Sequence, residues 1–457
     1  MLPAAQARLE AEELILLAPR RLLAATLFVT APGVAAAQEG KLDLSGTMRV
    51  RLEAIANQPR PGFDRDDSLL NLRTTLRAAY EDGPLTVAAE LWDSRVYGDG
   101  PGSAVTTGEV NAVELVQAYV AYQPRIAGTE LVATAGRFLL NIGSRRLVAA
   151  DDYRNTTNGY TGLRADIARP GGLTATLIYV LPQQRRPDDR AALARNPVAV
   201  DREGFDLALW GGTAAHPIGS RVAAELSFYR LNERDTPGRP TRDRQLATYG
   251  GRLHREPAAA AADFEVEGFY QSGRSSVSTG ASAGSLPVSA WFVHADAGYT
   301  LAGAWKPRVS IEYDRASGDR AGGSSGRFDT LFGMRRADLA PSGLYNAIGR
   351  ANLSTPGARV EIVPSKRVDA FASYHALYLA ERTDSFSTTG VRDASGRSGD
   401  FAGHQLDARL RWWVRPAALR FEANAVMLTK GRFLATAPNA PAGGTTAYGS
   451  VNLIATF

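Results

Sequence analysis

Arginine is the residue type in this chain whose chemistry and spacing point most directly to a ligand. Of the 52 basic residues, four are lysines and 48 are arginines. A guanidinium binds a carboxylate or phosphate through two parallel hydrogen bonds. Arginines spaced along a wet passage would therefore bind anions and release them in turn. The candidates on the polar faces of predicted strands are Arg49, Arg73, Arg77, Arg164 and Arg409.

A second group of candidates lies in and beside the segment 139–161, LLNIGSRRLVAADDYRNTTNGYT. Charges of both signs are dense here, and two interpretations fit them. The segment is either a solvated loop, or a loop that folds inward, is tied by salt bridges and narrows a passage. The candidates from this region are Arg137, Arg145, Arg146, Arg154 and Asn155.

Structural pairing is the competing interpretation for every inward arginine. The same alternation places acids on the polar faces, and opposite charges on neighbouring strands stabilise each other. Selectivity for anions therefore depends on which arginines are already paired. The inward acids are Glu90, Asp166, Glu225, Glu265, Glu267, Asp296, Glu312, Glu361, Asp407 and Glu422.

The composition does not favour catalysis or metal binding. The chain has no cysteine, and its five histidines are scattered without ligand-like spacing. Covalent catalysis needs a nucleophile and a base within reach of each other, and no G-x-S-x-G elbow is present. We therefore expect no enzyme activity, no catalytic residue, no metal and no cofactor.

The elements that must position the arginines are strands with two different faces. In segment 42–54, apolar or small residues from Leu42 to Ala54 alternate with polar ones from Asp43 to Glu53. A period of two is the signature of a β-strand. The same alternation runs back from the last residue, Phe457, as in the closing strand of an outer-membrane barrel.

Eighteen segments of this kind can be found, and the connections between them alternate short and long. Tilted strands of about 9–11 residues cross a bilayer, and short periplasmic turns alternate with long extracellular loops in outer-membrane barrels. The sequence thus predicts an all-β fold, a transmembrane antiparallel β-barrel of about 18 strands in the bacterial outer membrane. An even strand count returns both ends to the periplasm.

The N-terminal region predicts secretion. An apolar run, residues 22–37, follows Arg20 and Arg21 and ends in small residues, which is typical of a signal peptide. We expect a signal peptide over residues 1–37 and a barrel over residues 38–457. Acidic residues before the run fit an n-region poorly, so the true start lies further in or the n-region is long.

Several short motifs together resemble the alginate export family of outer-membrane proteins. They are Gly136-Arg137, the run 143–148 (GSRRLV), the run 153–156 (YRNT) and the run 162–164 (GLR). Further similar segments are YDRASGD at 313–319, FDTLF at 328–332, GHQLD at 403–407 and KGRF at 430–433. The resemblance covers roughly residues 41–457.

The resemblance implies an 18-stranded barrel with an arginine-rich, anion-selective constriction that exports an acidic polysaccharide. The alternative is a general or substrate-selective uptake porin for small anions. Expected partners are outer-membrane lipid, the anionic polysaccharide or small anionic solute, the barrel assembly machinery and periplasmic polysaccharide-handling proteins. No nucleic-acid partner is expected.

Overall fold

The computed structural model describes residues 40–457, except residues 152, 281, 321, 336 and 337. The predicted signal peptide, residues 1–37, and the predicted mature start at Gln38 lie outside the described residues. Strands account for most of the described chain. Their bounds are β1 Lys41–Ala56, β2 Asp67–Asp82, β3 Leu85–Tyr97, β4 Asn111–Tyr122, β5 Arg125–Ile126, β6 Thr129–Leu139, β7 Gly159–Ala168, β8 Thr174–Pro182, β9 Leu207–Pro217, β10 Val222–Glu233, β11 Gln245–Arg255, β12 Ala261–Ser276, β13 Ser285–Thr300, β14 Arg308–Ala316, β15 Leu353–Ser365, β16 Val368–Tyr378, β17 Phe401–Arg415, β18 Leu419–Lys430 and β19 Thr446–Thr456.

The strands form one closed antiparallel sheet. Neighbouring strands in the chain pair with each other, and β1 pairs with both β2 and β19, which closes the cylinder. The short segment β5 continues β4, because both pair with β6 and only Gln123 and Pro124 separate them. The barrel therefore has 18 strands, and the predicted all-β fold is confirmed.

Side-chain alternation gives the wall a polar inner face and an apolar outer face. In β1, Arg49 and Arg51 are buried inside the barrel, whereas Met48 and Leu52 are half or more exposed on the outside. Exposed leucine, valine, isoleucine and aromatic side chains continue this outer surface on most other strands. Such a wall suits a boundary between lipid and a polar interior.

The connections alternate in length as predicted. At one rim the turns are short, such as residues 83–84 and 366–367, and at the other rim the loops are long. The longest loop, residues 317–352, contributes Leu344 and Tyr345 to an apolar cluster that also includes Phe386 and Phe433 from other long loops. These loops therefore pack together instead of extending separately into solvent.

The long loops contain two short helices, α1 at Arg190–Leu193 and α2 at Arg432–Thr436. In the described part of the chain, no helix has the length and apolar character that a membrane crossing requires.

The outer face yields a test with a matched control. Ile311 on β14 is 68% exposed, and Ile218 in a short turn is 60% exposed. An arginine at a lipid-facing midplane position costs roughly 2–4 kcal/mol. We expect Ile311→Arg to lower the free energy of unfolding in lipid vesicles by about that amount. Ile218→Arg should stay within about 0.5 kcal/mol of the unsubstituted protein. Equal losses would contradict lipid contact at Ile311.

Candidate functional site

The loop between β6 and β7, residues 140–158, folds into the barrel and is fastened to β1; we call it the inner loop. Arg49 donates hydrogen bonds to the carbonyl oxygens of Tyr153 and Arg154, at 3.3 and 2.7 Å. Arg51 donates to the Tyr153 carbonyl oxygen at 2.5 Å, and its guanidinium lies 4.2 Å from the centre of the Tyr153 ring. Of the two arrangements that the sequence allows for this loop, the inward one is found.

Asn155 connects the inner loop to four other parts of the chain. Its side-chain nitrogen donates to the carbonyl oxygens of Leu72, Arg95 and Glu109 at 2.9–3.1 Å. Its side-chain oxygen accepts a hydrogen bond from Arg49 at 3.0 Å. The residue is buried, so these contacts are shielded from water. Asn155 thus positions the loop and presents no free polar atom to a solute.

A buried ion cluster joins the inner loop to the wall and to the loop 317–352. Arg146 contacts Glu265, Glu267 and Asp338, with distances of 2.6 Å to Glu267 and 2.7 Å to Asp338. Arg350 contacts the same Asp338 carboxylate. All five residues are buried. Since breaking a buried ion pair costs about 3–5 kcal/mol, we assign Arg146 a structural position.

Three arginines converge on a cavity of about 250 Å³ enclosed by the inward loops. Arg154 comes from the inner loop, Arg185 from the loop 183–206 and Arg335 from the loop 317–352. Two carboxylates, Asp151 and Glu109, also line this space. We call it the arginine cavity.

The three guanidiniums differ in how they are neutralised. Arg154 forms an ion pair with Asp151 at 2.9 Å. Arg185 donates to backbone carbonyl oxygens and to the Asn158 side chain at 2.7–2.9 Å, and Arg335 donates to the Asn346 side-chain oxygen. Of the carboxylates in the described part of the chain, none lies in ion-pair contact with Arg185 or Arg335. These two side chains hold the unneutralised positive charge of the cavity.

Burial changes the pKa values inside the cavity without discharging the arginines. Burial lowers the pKa of Arg185 to about 10, and the charge of Arg154 adds to this effect. Burial likewise lowers the pKa of Arg335 to about 10. Both remain protonated near pH 7, because these values lie well above it. Burial, with the nearby Glu53, raises the pKa of the Glu109 carboxyl, which favours its neutral form.

Three of the arginines predicted from strand alternation are held by acids in the wall. Each lies within ion-pair distance of a carboxylate on its own or the neighbouring strand, as the pairing interpretation expects. The pairs are Arg77–Asp43, Arg164–Asp166 and Arg409–Asp369, at 3.6, 2.6 and 3.1 Å. Arg73 instead lies 4.6 Å over the Trp92 ring and donates to the Arg154 carbonyl oxygen.

The side chain of Arg137 points away from the barrel interior. The next residue, Phe138, is buried in an interior apolar cluster, so alternation directs Arg137 outward. Its guanidinium lies 2.7 Å from Glu114 and 2.8 Å from Glu203. Arg145 is half-buried in the inner loop, at a residue with φ of +66°.

Arg185 and Arg335 were not predicted from the sequence. Both lie in long loops, where no alternation assigns a residue to one face. Their convergence depends on how three separate loops pack inside the barrel. The sequence signal available for them was only a basic residue in a predicted long loop.

Substitution of Asn155 by alanine tests whether this side chain holds the inner loop in place. Asn155→Ala leaves three carbonyl groups without the amide donor, and a buried unsatisfied group costs about 1–3 kcal/mol. We expect a loss of that size in the free energy of unfolding, with more frequent current fluctuations in single-channel recordings. Asn439 also donates to a carbonyl oxygen, that of Gly390, but is exposed. If Asn439→Ala had the same effects, the positioning role would be refuted.

Comparison with known proteins gives matches in sequence family and in fold. The family model described as alginate export matches residues 41–447. A comparison with curated protein sequences found no significant match.

Solved structures of bacterial outer-membrane proteins share the fold at low sequence identity. Pseudomonas aeruginosa OccK8 (OprE) superimposes with a TM-score of 0.59 and 11% identity, covering 91% of this chain and 98% of that one. P. aeruginosa OccD3 (OpdP) gives 0.55 and 14%, covering 91% of each chain. Acinetobacter baumannii OccAB1 gives 0.54 and 12%, covering 91% and 96%.

The family match covers most of the chain, and the structural matches show the same closed barrel. This family and this fold are those of outer-membrane channels. The chain belongs to the alginate export family and forms an 18-strand β-barrel in the bacterial outer membrane.

Proposed function

We propose that this channel passes carboxylated anions through the arginine cavity, and that its solute is an acidic, alginate-like polysaccharide on its way out of the cell. The observation that carries the proposal is the pair of guanidiniums, Arg185 and Arg335, which face the cavity without a carboxylate partner among the described residues. The description of the family as alginate export supports the polysaccharide.

The proposal separates arginines that hold the structure from arginines that meet the solute. A guanidinium already paired with an acid has little attraction left for a passing anion. Wall arginines such as Arg164 and Arg409 are therefore expected to contribute little to selectivity. The cavity arginines are bonded chiefly to neutral oxygens, so a carboxylate that enters can form a charge-assisted hydrogen bond with them.

A polymer of uronate residues fits the convergence of three arginines from three loops. Each carboxylate would be attracted by one guanidinium and passed to the next as the chain advances. Conduction requires each contact to be strong enough for the solute to enter the channel and weak enough for it to leave. The nearby Asp151 suits this requirement, because its ion pair with Arg154 lowers the total positive charge of the cavity.

Uptake of small anions is the second candidate, and the size of the cavity favours it. About 250 Å³ lies just below the range of roughly 300–1,000 Å³ usual for small-molecule sites. A single carboxylated sugar or short organic acid would meet all three arginines at once. The barrel assembly machinery and periplasmic polysaccharide-handling proteins stay predicted partners under either candidate.

Planar-bilayer recordings with two probes distinguish the candidates. A uronate tetramer added to one side should interrupt the current in discrete blocks that last longer than those of glucuronate monomer. This outcome favours the polymer. Steady current carried by glucuronate, with no block by the tetramer, would favour small-anion uptake. A reversal potential that reports cation preference in the unsubstituted channel would overturn both.

Substitution of the cavity arginines Arg185 and Arg335 should reduce the selectivity of the channel for anions. We expect Arg185→Gln and Arg335→Gln each to lower the anion-to-cation permeability ratio several-fold, because each removes a cation from the narrow passage. Arg164→Gln is the matched control, since Arg164 is neutralised by Asp166 at 2.6 Å. The measurement is the reversal potential under a salt gradient. A shift in the control as large as in the cavity variants would refute the assignment.

A further inference from the structure

Three buried side chains from different parts of the chain meet inside the barrel. His294 belongs to β13, Asp314 to β14 and Asp338 to the inward loop 317–352. One nitrogen or oxygen atom from each lies within 4.8 Å of the others. His294 Nδ1 lies 2.9 Å from an Asp314 oxygen. One imidazole and two carboxylates form a donor set that divalent transition metals accept.

The second carboxylate oxygen of Asp314 has no hydrogen-bond partner in the described part of the chain. Asp314 is fully buried, at 0% exposure. A buried carboxylate oxygen without a partner is costly, and such groups are normally hydrogen-bonded or coordinate a metal. An adjoining cavity of about 10 Å³, lined by His294 and Asp338, leaves room for about one water-sized particle.

The ion pairs around these three side chains contain more carboxylates than basic groups. Among the described residues they form four separate sets, which together contain nine carboxylates, five guanidiniums and two imidazoles. The acids are Glu225, Asp263, Glu265, Glu267, Asp296, Glu312, Asp314, Asp338 and Glu361. The bases are Arg146, Arg252, His294, Arg308, Arg350, Arg359 and His375. A divalent cation would offset part of the excess at its most buried point.

Asp338 retains a position for a metal although two arginines contact it. Arg146 Nε and Arg350 Nη2 both point to Oδ2, and Arg146 Nη2 donates to Oδ1 at 2.8 Å. An ionised carboxylate offers about four lone-pair sites, of which these contacts use three. The remaining site is on Oδ1.

We propose that His294, Asp314 and Asp338 form a binding site for one divalent transition-metal ion of the zinc class. The imidazole supplies nitrogen and the carboxylates supply oxygen, which zinc binds at about 2.0–2.2 Å. The ion has no open access to a solute, so its role is structural. This proposal does not depend on the identity of the solute.

Such an ion would fix the loop 317–352 to the barrel wall close to the arginine cavity. The backbone nitrogens of Asp338 and Leu339 donate to the carbonyl oxygen of Arg335, at 3.4 and 3.0 Å. These hydrogen bonds link the metal ligand Asp338 directly to the cavity arginine Arg335. Holding Asp338 against β13 and β14 would hold Arg335 in place.

Zinc binding to the folded full-length chain in detergent tests the site directly. The protein is equilibrated with Zn²⁺, passed over a gel-filtration column in metal-free buffer and analysed by elemental mass spectrometry. We expect about one zinc per chain, with His294→Ala and Asp314→Asn each weakening zinc binding by at least about tenfold. His404→Ala is the control, because His404 is exposed on the outer surface beside Tyr374.

Co²⁺ provides an independent readout, since its visible absorption reports the ligand geometry. A band typical of four-coordinate cobalt in the unsubstituted chain and in His404→Ala, but not in Asp314→Asn, would support the site. Heat-modifiable gel mobility identifies variants that fold, and Asp314→Asn provides the test should His294→Ala fail to fold. Zinc absent from the unsubstituted chain, or retained equally in Asp314→Asn, would overturn the proposal.

Discussion

The rest of the structure depends on the requirement that backbone groups in hydrocarbon find hydrogen-bond partners within the protein. For strands this requirement is met only when the sheet closes, as it does through the pairing of β1 with β19. Closure fixes which face of every strand points inward. It therefore forces polar and charged side chains, such as Arg49 and Glu53, into the interior at regular intervals, whatever passes through the channel.

Charges forced into a confined interior must be paired, and this limits what the wall can do. Arg409 lies against Asp369, and Arg146 lies among Glu265, Glu267 and Asp338. These contacts fill the interior and hold the inward loops. Because the charges are paired, they exert little electrostatic attraction on a passing solute. The loops do not follow the two-residue alternation of strands. They can therefore bring Arg185 and Arg335 to one cavity with no described carboxylate in ion-pair contact with either. The candidate solute contacts thus lie on loops, and the wall supports them.

The fold could be predicted because its constraints are local in sequence. Alternation within one strand and the length of one connection are enough to count 18 strands, as β1 and β19 illustrate. The site could not be predicted in the same way. Arg146 meets Glu265 across 119 residues of chain, and no local pattern encodes that contact. Arg137 was grouped with the loop candidates, but β6 continues to Leu139 and alternation directs Arg137 to the face opposite Phe138.

The same reasoning explains why the sequence suggested no metal ligands. Metal sites are recognisable in sequence when the ligands lie a few residues apart, as in zinc fingers. His294, Asp314 and Asp338 come from two strands and a loop, and only the inward fold of that loop brings the third ligand to the other two. In this barrel, any function that needs charges to converge must be built by the inward loops. The arginine cavity and the proposed metal site both satisfy this condition, and both share the loop 317–352.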